Sequence, residues 1–202
     1  MPALDREVRI GAAQVAEVFM DASATVDKDV SLIEEAGRKG LDLLVFPEFH
    51  VAASPAWERF TDEMDWREYY RGMFESAVTV PGPEIERIQA AAAAADVAVV
   101  LGVNEREPDT TGTMYNTQVF VDADGTLLGK RRKLVPTVHE RIFHDRGSGR
   151  GIRTFDSEVG RLGGLICSEH HNPLAVFGTI AQGEEIHAAA WPGFAWWDRD
   201  RR

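Results

Sequence analysis

RLGGLICSEHHNPLAVFGTIAQGEEIHAAA, residues 161–190, holds the pattern that decides the fold. Arg161 to Ile166 is a short apolar run, suited to a buried strand. Asn172 offers a helix N-cap and Pro173 a first helical position, so a helix is expected from Asn172 to Ala181. Ile186 to Ala190 gives another strand. Strand, helix and strand in succession make an α/β unit. The polar group Cys167-Ser168-Glu169-His170-His171 interrupts it at a strand's carboxyl end, where α/β proteins usually carry their sites.

The alternation continues upstream. Val8 to Gln14 reads as a short strand. Thr25 to Lys39 has Val26, Val30, Ile33 and Ala36 on one helical face, and Gly40 supplies a stop. Leu41 to Phe46 reads as a buried strand that Pro47 ends, because proline cannot donate to a ladder. Residues 50–80, rich in aromatic and acidic groups, read as a loop with one or two helical pieces. A helix is expected over Pro83 to Ala95 and a strand over Asp96 to Val103. Met114 to Val121 and Thr126 to Leu134 flank Asp122-Ala123-Asp124-Gly125, a hairpin signal in which Asp-Gly supplies the positive-φ positions. These elements predict one layered α/β domain over residues 1–202.

Composition narrows the function. Of 202 residues, 44% are hydrophobic and 27% charged, which suits a globular domain with a real core. The formal net charge of -11 repels phosphate backbones, so nucleic acid is not an expected partner. The basic run Lys130-Arg131-Arg132-Lys133 is the exception; apart from Lys133 it reads as a solvated strand end. A single cysteine cannot form an intrachain disulfide. The opening MPALDREVRIG lacks the apolar run of a secretory signal, and no stretch has the roughly eighteen apolar residues of a membrane span. The expected location is cytoplasmic.

Three residues beyond strand ends carry reactive groups. Cys167 precedes a helix N-terminus, which would favour the thiolate, yet a lone cysteine is often a small buried hydrophobe. Glu48, between Phe46-Pro47 and Phe49, would be partly desolvated and so a better base at neutral pH; a solvated strand end is the rival reading. Alternation places Lys133 and Arg131 on one face of their strand, and Lys130 and Arg132 on the other. An inward Lys133 would stabilise an oxyanion. The histidines 139, 144, 170, 171 and 187 with Cys167 raise a zinc reading, but their spacing fits no structural zinc pattern. Trp57, Trp66, Tyr69 and Tyr70 would wall a pocket or pack a core. Trp191, Phe194, Trp196 and Trp197 would pack a terminal segment or cover an interface.

A glutamate after strand-Pro, a lysine before Leu-x-Pro, and strand-Cys-x-Glu form an ordered set. That set, with VRIGAAQVAEVFMDASATVDK, KRRKLVPTVHERIFH, ICSEHHNPL and AQGEEIHAAAWPGF, resembles the nitrilase branch of the carbon–nitrogen hydrolase superfamily, from about Val8 to Phe194. The resemblance implies a four-layer αββα sandwich, here C-terminally incomplete because the family normally continues past the Trp-Pro segment. It implies thiol-dependent hydrolysis of an organic nitrile to an acid and ammonia, with water and without metal or organic cofactor. Cys167 would be the nucleophile, Glu48 the general base and Lys133 the cationic stabiliser. Glu140 would position Lys133 or substrate, and Glu169 would give structural support. Ser168 stands where Trp or Gly is more usual and would shape the pocket. A homo-oligomer is implied as well. The alternatives are a cyanide hydratase or dihydratase, an amidase of the same superfamily, or an inactive fragment.

Overall fold

The computed structural model describes residues 7–59 and 61–192. Two sheets stack with helices outside them. The first has five strands in sequence order: β1 (Ile10–Ala12), β2 (Leu43–Val45), β3 (Ala98–Arg106), β4 (Met114–Val121) and β5 (Leu127–Arg132). β1, β2 and β3 run parallel, and β3, β4 and β5 are antiparallel. The parallel strands require crossovers, and two helices provide them. They are α1 (Ala22–Arg38) and, after α2 (Trp66–Ser76), α3 (Pro83–Ala95).

α1 starts where Asp21 accepts a hydrogen bond from the Ala24 N–H at 2.9 Å, a cap typically worth about 1 kcal/mol. Its buried stripe of Val26, Ile33 and Ala36 packs with Ile85, Ile88 and Ala92 of α3 against Leu44, Val99, Leu101, Val119 and Val121. Gly37 approaches Ala95 so closely that an added Cβ would lie 2.7 Å from the Ala95 carbonyl oxygen. Small residues here let the two helices share one face of the sheet.

The other face buries Leu43, Ala98, Val100 and Phe120 against Phe155, Val159, Leu162 and Ala188. These last four belong to the second sheet or its turn: β6 (Phe155–Ser157), β7 (Gly160–Ile166) and β8 (Ile186–Ala190). β7 and β8 are parallel and joined through α5 (Pro173–Ala181), after the short α4 (Glu140–Phe143). Since the inner face of this sheet is occupied, α5 covers the outer one. The layers are helices, sheet, sheet, helix, as the resemblance implies.

Several local expectations change. β6 does not stand out in the sequence, because three residues are too short for a periodic signal. In the loop joining β4 to β5, residues 122–126, only Gly125 has positive φ, at +85°. A four-residue loop needs one left-handed position, not the two of a type I′ turn. Trp57, Trp66, Tyr69 and Tyr70 pack with Met73, Met114 and Phe143 in a third apolar cluster, which favours the packing reading for all four. Trp191 is described and half exposed, whereas Phe194, Trp196 and Trp197 lie outside the described residues. Among the described residues no helix is long and apolar enough to cross a membrane.

Candidate active site

Each reactive group leaves the carboxyl end of a strand. β2 ends at Val45, and Phe46-Pro47 carry the chain across β3 to Glu48. Gly102 of β3 makes room: an added Cβ would sit 2.1 Å from the Pro47 carbonyl oxygen and 2.9 Å from the Glu48 Cα. Gly102→Ala should therefore push Glu48 out of place. A misplacement near 1 Å costs roughly 10²-fold in rate. The check is activity measured alongside an unchanged circular dichroism spectrum.

Glu48 is buried, and one of its oxygens is fully engaged. Oε1 accepts from Lys133 Nζ at 2.8 Å and from Asn116 Nδ2 at 2.6 Å. Oε2 is buried and has no hydrogen-bond partner among the described residues. Burial raises the Glu48 pKa to about 7, against the pull of Lys133 and Asn116; the charge on Glu140 raises it further. The desolvation expected from its flanking residues is thus observed, and the solvated reading is excluded.

Lys133 follows β5 and is also buried. Its three N–H donors are all in use, one on Glu48 Oε1 and two on Glu140 Oε1 and Oε2 at 2.9 Å each. Burial opposes its charge, but the two carboxylates win and raise its pKa. Glu140 pairs with Lys133 and also accepts from the Thr137 N–H at 3.0 Å. Of the readings given for Glu140, positioning of Lys133 is the one the geometry supports.

Cys167 stands at the end of β7, in a turn of 3-10 helix over Cys167–His171. Its φ is +49°, a left-handed conformation that is uncommon for a residue with a side chain. Phe49 and Val138, in the loops that bear Glu48 and Glu140, are also left-handed, at +57° and +44°. Such strain persists only where surrounding contacts hold it, and it gathers at functional sites. The contacts here are specific. Glu169 forms a fork-to-fork pair with Arg131, both bonds 2.7 Å. The same carboxylate accepts the Ile166 and Leu134 N–H groups at 2.7 Å each. Ser168 Oγ lies 2.5 Å from Thr137 Oγ1. The residues on both sides of Cys167 are therefore tied to the loop that carries Lys133 and Glu140.

The charges of Glu48, Lys133 and Glu140 all act on the Cys167 thiol. Burial and Glu48 push its pKa up to about 11, while Lys133 and the Ser168 N–H oppose them. The helix N-terminus ahead, expected to favour the thiolate, is outweighed by burial and Glu48. A single 3-10 turn offers little dipole, and a neighbouring carboxylate repels negative sulfur. These influences favour the thiol form, near a carboxylate whose own pKa is raised to about 7.

Arg131 corrects the solvated reading of the basic run. It is 1% exposed, the largest of the fully buried side chains among the described residues. Lys130 and Arg132 point to the other face and bind Glu105, which agrees with the strand alternation. Asn116 gives only a faint signal, as an amide within the apolar strand MYNTQVFV. His144 lies buried with Nε2 2.6 Å from Asn104 Oδ1, and burial lowers its pKa to about 3. His139 lies outside this group, 3.5 Å from Glu58. A cleft of about 390 Å³ opens beside Glu48, between Gln14, Phe49, His50, Ser54 and Pro192. A larger one, about 430 Å³, lies at the start of α1 and touches no site residue.

Two stacked sheets carry a buried Glu48–Lys133–Glu140 cluster, with the half-buried Cys167 thiol within its electrostatic reach. Residues 9–200 match the carbon-nitrogen hydrolase family, and the chain belongs to it. Among curated proteins it is 44% identical over 191 residues to Nitrilase 3 of an unknown prokaryotic organism, covering 93% of this chain and 57% of that protein. It is 36% identical to an aliphatic nitrilase of Rhodococcus rhodochrous, covering 93% of this chain and 50% of that one. Among solved structures it resembles Nit3 of Saccharomyces cerevisiae, a member of branch 10 of the nitrilase superfamily. That likeness has a TM-score of 0.70 at 21% identity and covers 91% of this chain and 65% of that one. The chain thus spans little more than half the length of these curated relatives.

Proposed function

We propose that the protein is a nitrilase, hydrolysing an organic nitrile to a carboxylic acid and ammonia. The observation that carries this reading is the unpaired, buried Glu48 Oε2 within a charge cluster that acts on the Cys167 thiol. The nitrilases among the curated relatives support the choice of substrate class.

The steps follow from the groups present. Glu48 Oε2 takes the thiol proton as sulfur bonds to the nitrile carbon, so no free thiolate need accumulate. Glu48 returns that proton to the nitrogen, giving a thioimidate. A water adds to it with Glu48 as base, ammonia leaves, and a thioester remains. A second water, activated the same way, releases the acid and restores the thiol. Two waters are consumed for each nitrile. Lys133 has no free N–H, so it acts by holding Glu48 and by its charge. The Ser168 N–H, which favours negative charge on the sulfur, would stabilise charge that develops on a carbon bound there.

The deciding experiment incubates the protein with benzonitrile, phenylacetonitrile and butyronitrile, with their amides and cyanide as competing arms. Intact-mass detection of a nitrile-derived adduct on Cys167, with acid and ammonia released, is the expected result. Turnover of the amides or of cyanide alone would transfer the chain to another branch of the family. No adduct under any arm would sink the reading.

The pH dependence has a definite sign. Glu48 works as a base only when ionised, so kcat/KM should rise as pH increases through about 7. Glu48→Gln should remove this limb and lower the rate about 10²- to 10⁴-fold. A pH–rate profile of both proteins checks it.

A further inference from the structure

Four ring nitrogens beside Cys167 can be assigned protons by simple counting. His170 Nδ1 lies 2.8 Å from the Cys167 carbonyl oxygen. His170 Nε2 lies 3.0 Å from His187 Nε2. His187 Nδ1 lies 2.8 Å from Glu184 Oε1. A carbonyl can only accept, so His170 Nδ1 carries a proton. The Glu184 carboxylate, when ionised, also only accepts, so His187 Nδ1 carries another. The contact between the two Nε2 atoms needs one proton, on one side or the other. Three protons on two rings make one imidazolium. At 3.0 Å the facing nitrogens leave no space for a metal ion between them.

The arrangement is built in. Gly163 is the cross-strand partner of His187, and its missing side chain leaves the place that the Glu184 carboxylate fills. A Cβ there would lie 1.9 Å from Glu184 Oε1. His170 also stacks on Trp191, ring centroids 4.3 Å apart. Trp191 in turn accepts the Glu48 N–H on its carbonyl at 3.2 Å.

We propose that Glu184, His187 and His170 form a positioning relay that holds one extra proton at neutral pH and thereby fixes the backbone carbonyl of Cys167. The relay touches no reacting atom and acts through the left-handed turn at the nucleophile. Its importance for turnover rests on the nitrilase reading, whereas its proton count does not.

The location of the extra proton follows from the surroundings. Burial lowers the His170 pKa; the Cys167 carbonyl and Glu169 of its own turn oppose this, while His187 of β8 and Arg131 of β5 add to it. The carboxylate in this series of contacts is that of Glu184, and the ring it touches is His187, so the third proton belongs to the contact between the rings on the His187 side. His170 stays neutral, donating from Nδ1 and accepting at Nε2. When the proton leaves on raising the pH, only two protons remain for three contacts, and one contact opens.

Glu184→Gln tests this without changing the outline. A glutamine donates its amide N–H to His187 Nδ1, so two ring protons then satisfy the whole chain and no charge is needed. Nitrogen-15 NMR of histidine rings in the full chain, assigned with His170→Gln and His187→Gln, should find three ring protons on the pair at neutral pH. It should find two in Glu184→Gln. The rate of iodoacetamide alkylation of Cys167, the one cysteine, gives the second readout. Wild type should show an extra step of roughly three- to tenfold as the third proton is lost, the weight of one hydrogen bond. Glu184→Gln should lack that step. Two ring protons in the wild type, or superimposable alkylation profiles, overturn the relay. Three protons in a protein that never forms a nitrile adduct would keep the relay and remove the nitrilase.

Discussion

Cys167→Ala is expected to abolish nitrile turnover, a loss on the order of 10⁵- to 10⁶-fold, the scale seen when a covalent nucleophile is deleted. The loss should fall on kcat, because the deleted atom makes its bond only during reaction. Folding should be nearly untouched. Among the described residues only the Ser168 N–H bears on the thiol as a hydrogen-bond donor, and alanine removes one atom from a half-buried site. Alanine pays the same left-handed penalty at φ +49° as cysteine does. Glycine at this position would instead relieve the strain and stabilise the chain. Residual adduct formation or rates near wild type in the alanine variant would remove Cys167 from the reaction. Intact mass and ammonia release measure both.

Arg131→Ala is expected to cost about 3–5 kcal/mol of stability, the usual penalty for breaking a buried ion pair. The arginine is 1% exposed, and its loss would strand the Glu169 carboxylate inside the protein. Burial alone would raise the Glu169 pKa, but Arg131 and the Leu134 and Ile166 N–H groups outweigh it and hold the pKa below the ordinary value. Its stabilisation is therefore complete above the ordinary carboxylate range. It is lost as acid protonates the folded carboxylate. Removing Arg131 should raise the Glu169 pKa and move acid unfolding to higher pH. Replacing both residues by Met should recover only part of the loss, since the Leu134 and Ile166 N–H groups would then lack an acceptor. Urea unfolding of the two single variants and the double variant, at several pH values, gives the comparison. A single-variant cost under 1 kcal/mol would mean that the turn at Cys167 is held by something else.

How far the sequence reveals this structure depends on the length of each signal. α3 and α5 were legible almost to the residue, because proline marks their starts and Asn172 caps the second. β7 and β8 were legible as apolar runs between polar breaks. β6 and the 3-10 turns were not, since three to five residues carry no period. Glu48, Lys133 and Cys167 are weak signals singly, and their order along the chain made them a set. Arg131 had the same strand parity as Lys133, yet a basic run reads as solvated until its carboxylate is known, and Glu169 lies thirty-eight residues away. The state of the Cys167 thiol is hidden for a related reason: the helix ahead is visible locally, whereas the repelling Glu48 arrives from a distant loop. Contacts of long sequence separation set the chemistry, and local patterns set only the frame.

The Glu48 carboxylate and the Cys167 sulfur hang from different sheets. Glu48 extends from the five-stranded layer and Cys167 from the three-stranded one, with Phe120 and Phe155 packed between the layers at 4.6 Å. The relative placement of carboxylate and thiol thus depends on how thickly the interior between the sheets is filled. Trimming either ring should shift the Cys167 alkylation rate by letting the slabs settle, so the reactivity of the thiol is tuned partly by apolar residues that lie far from it.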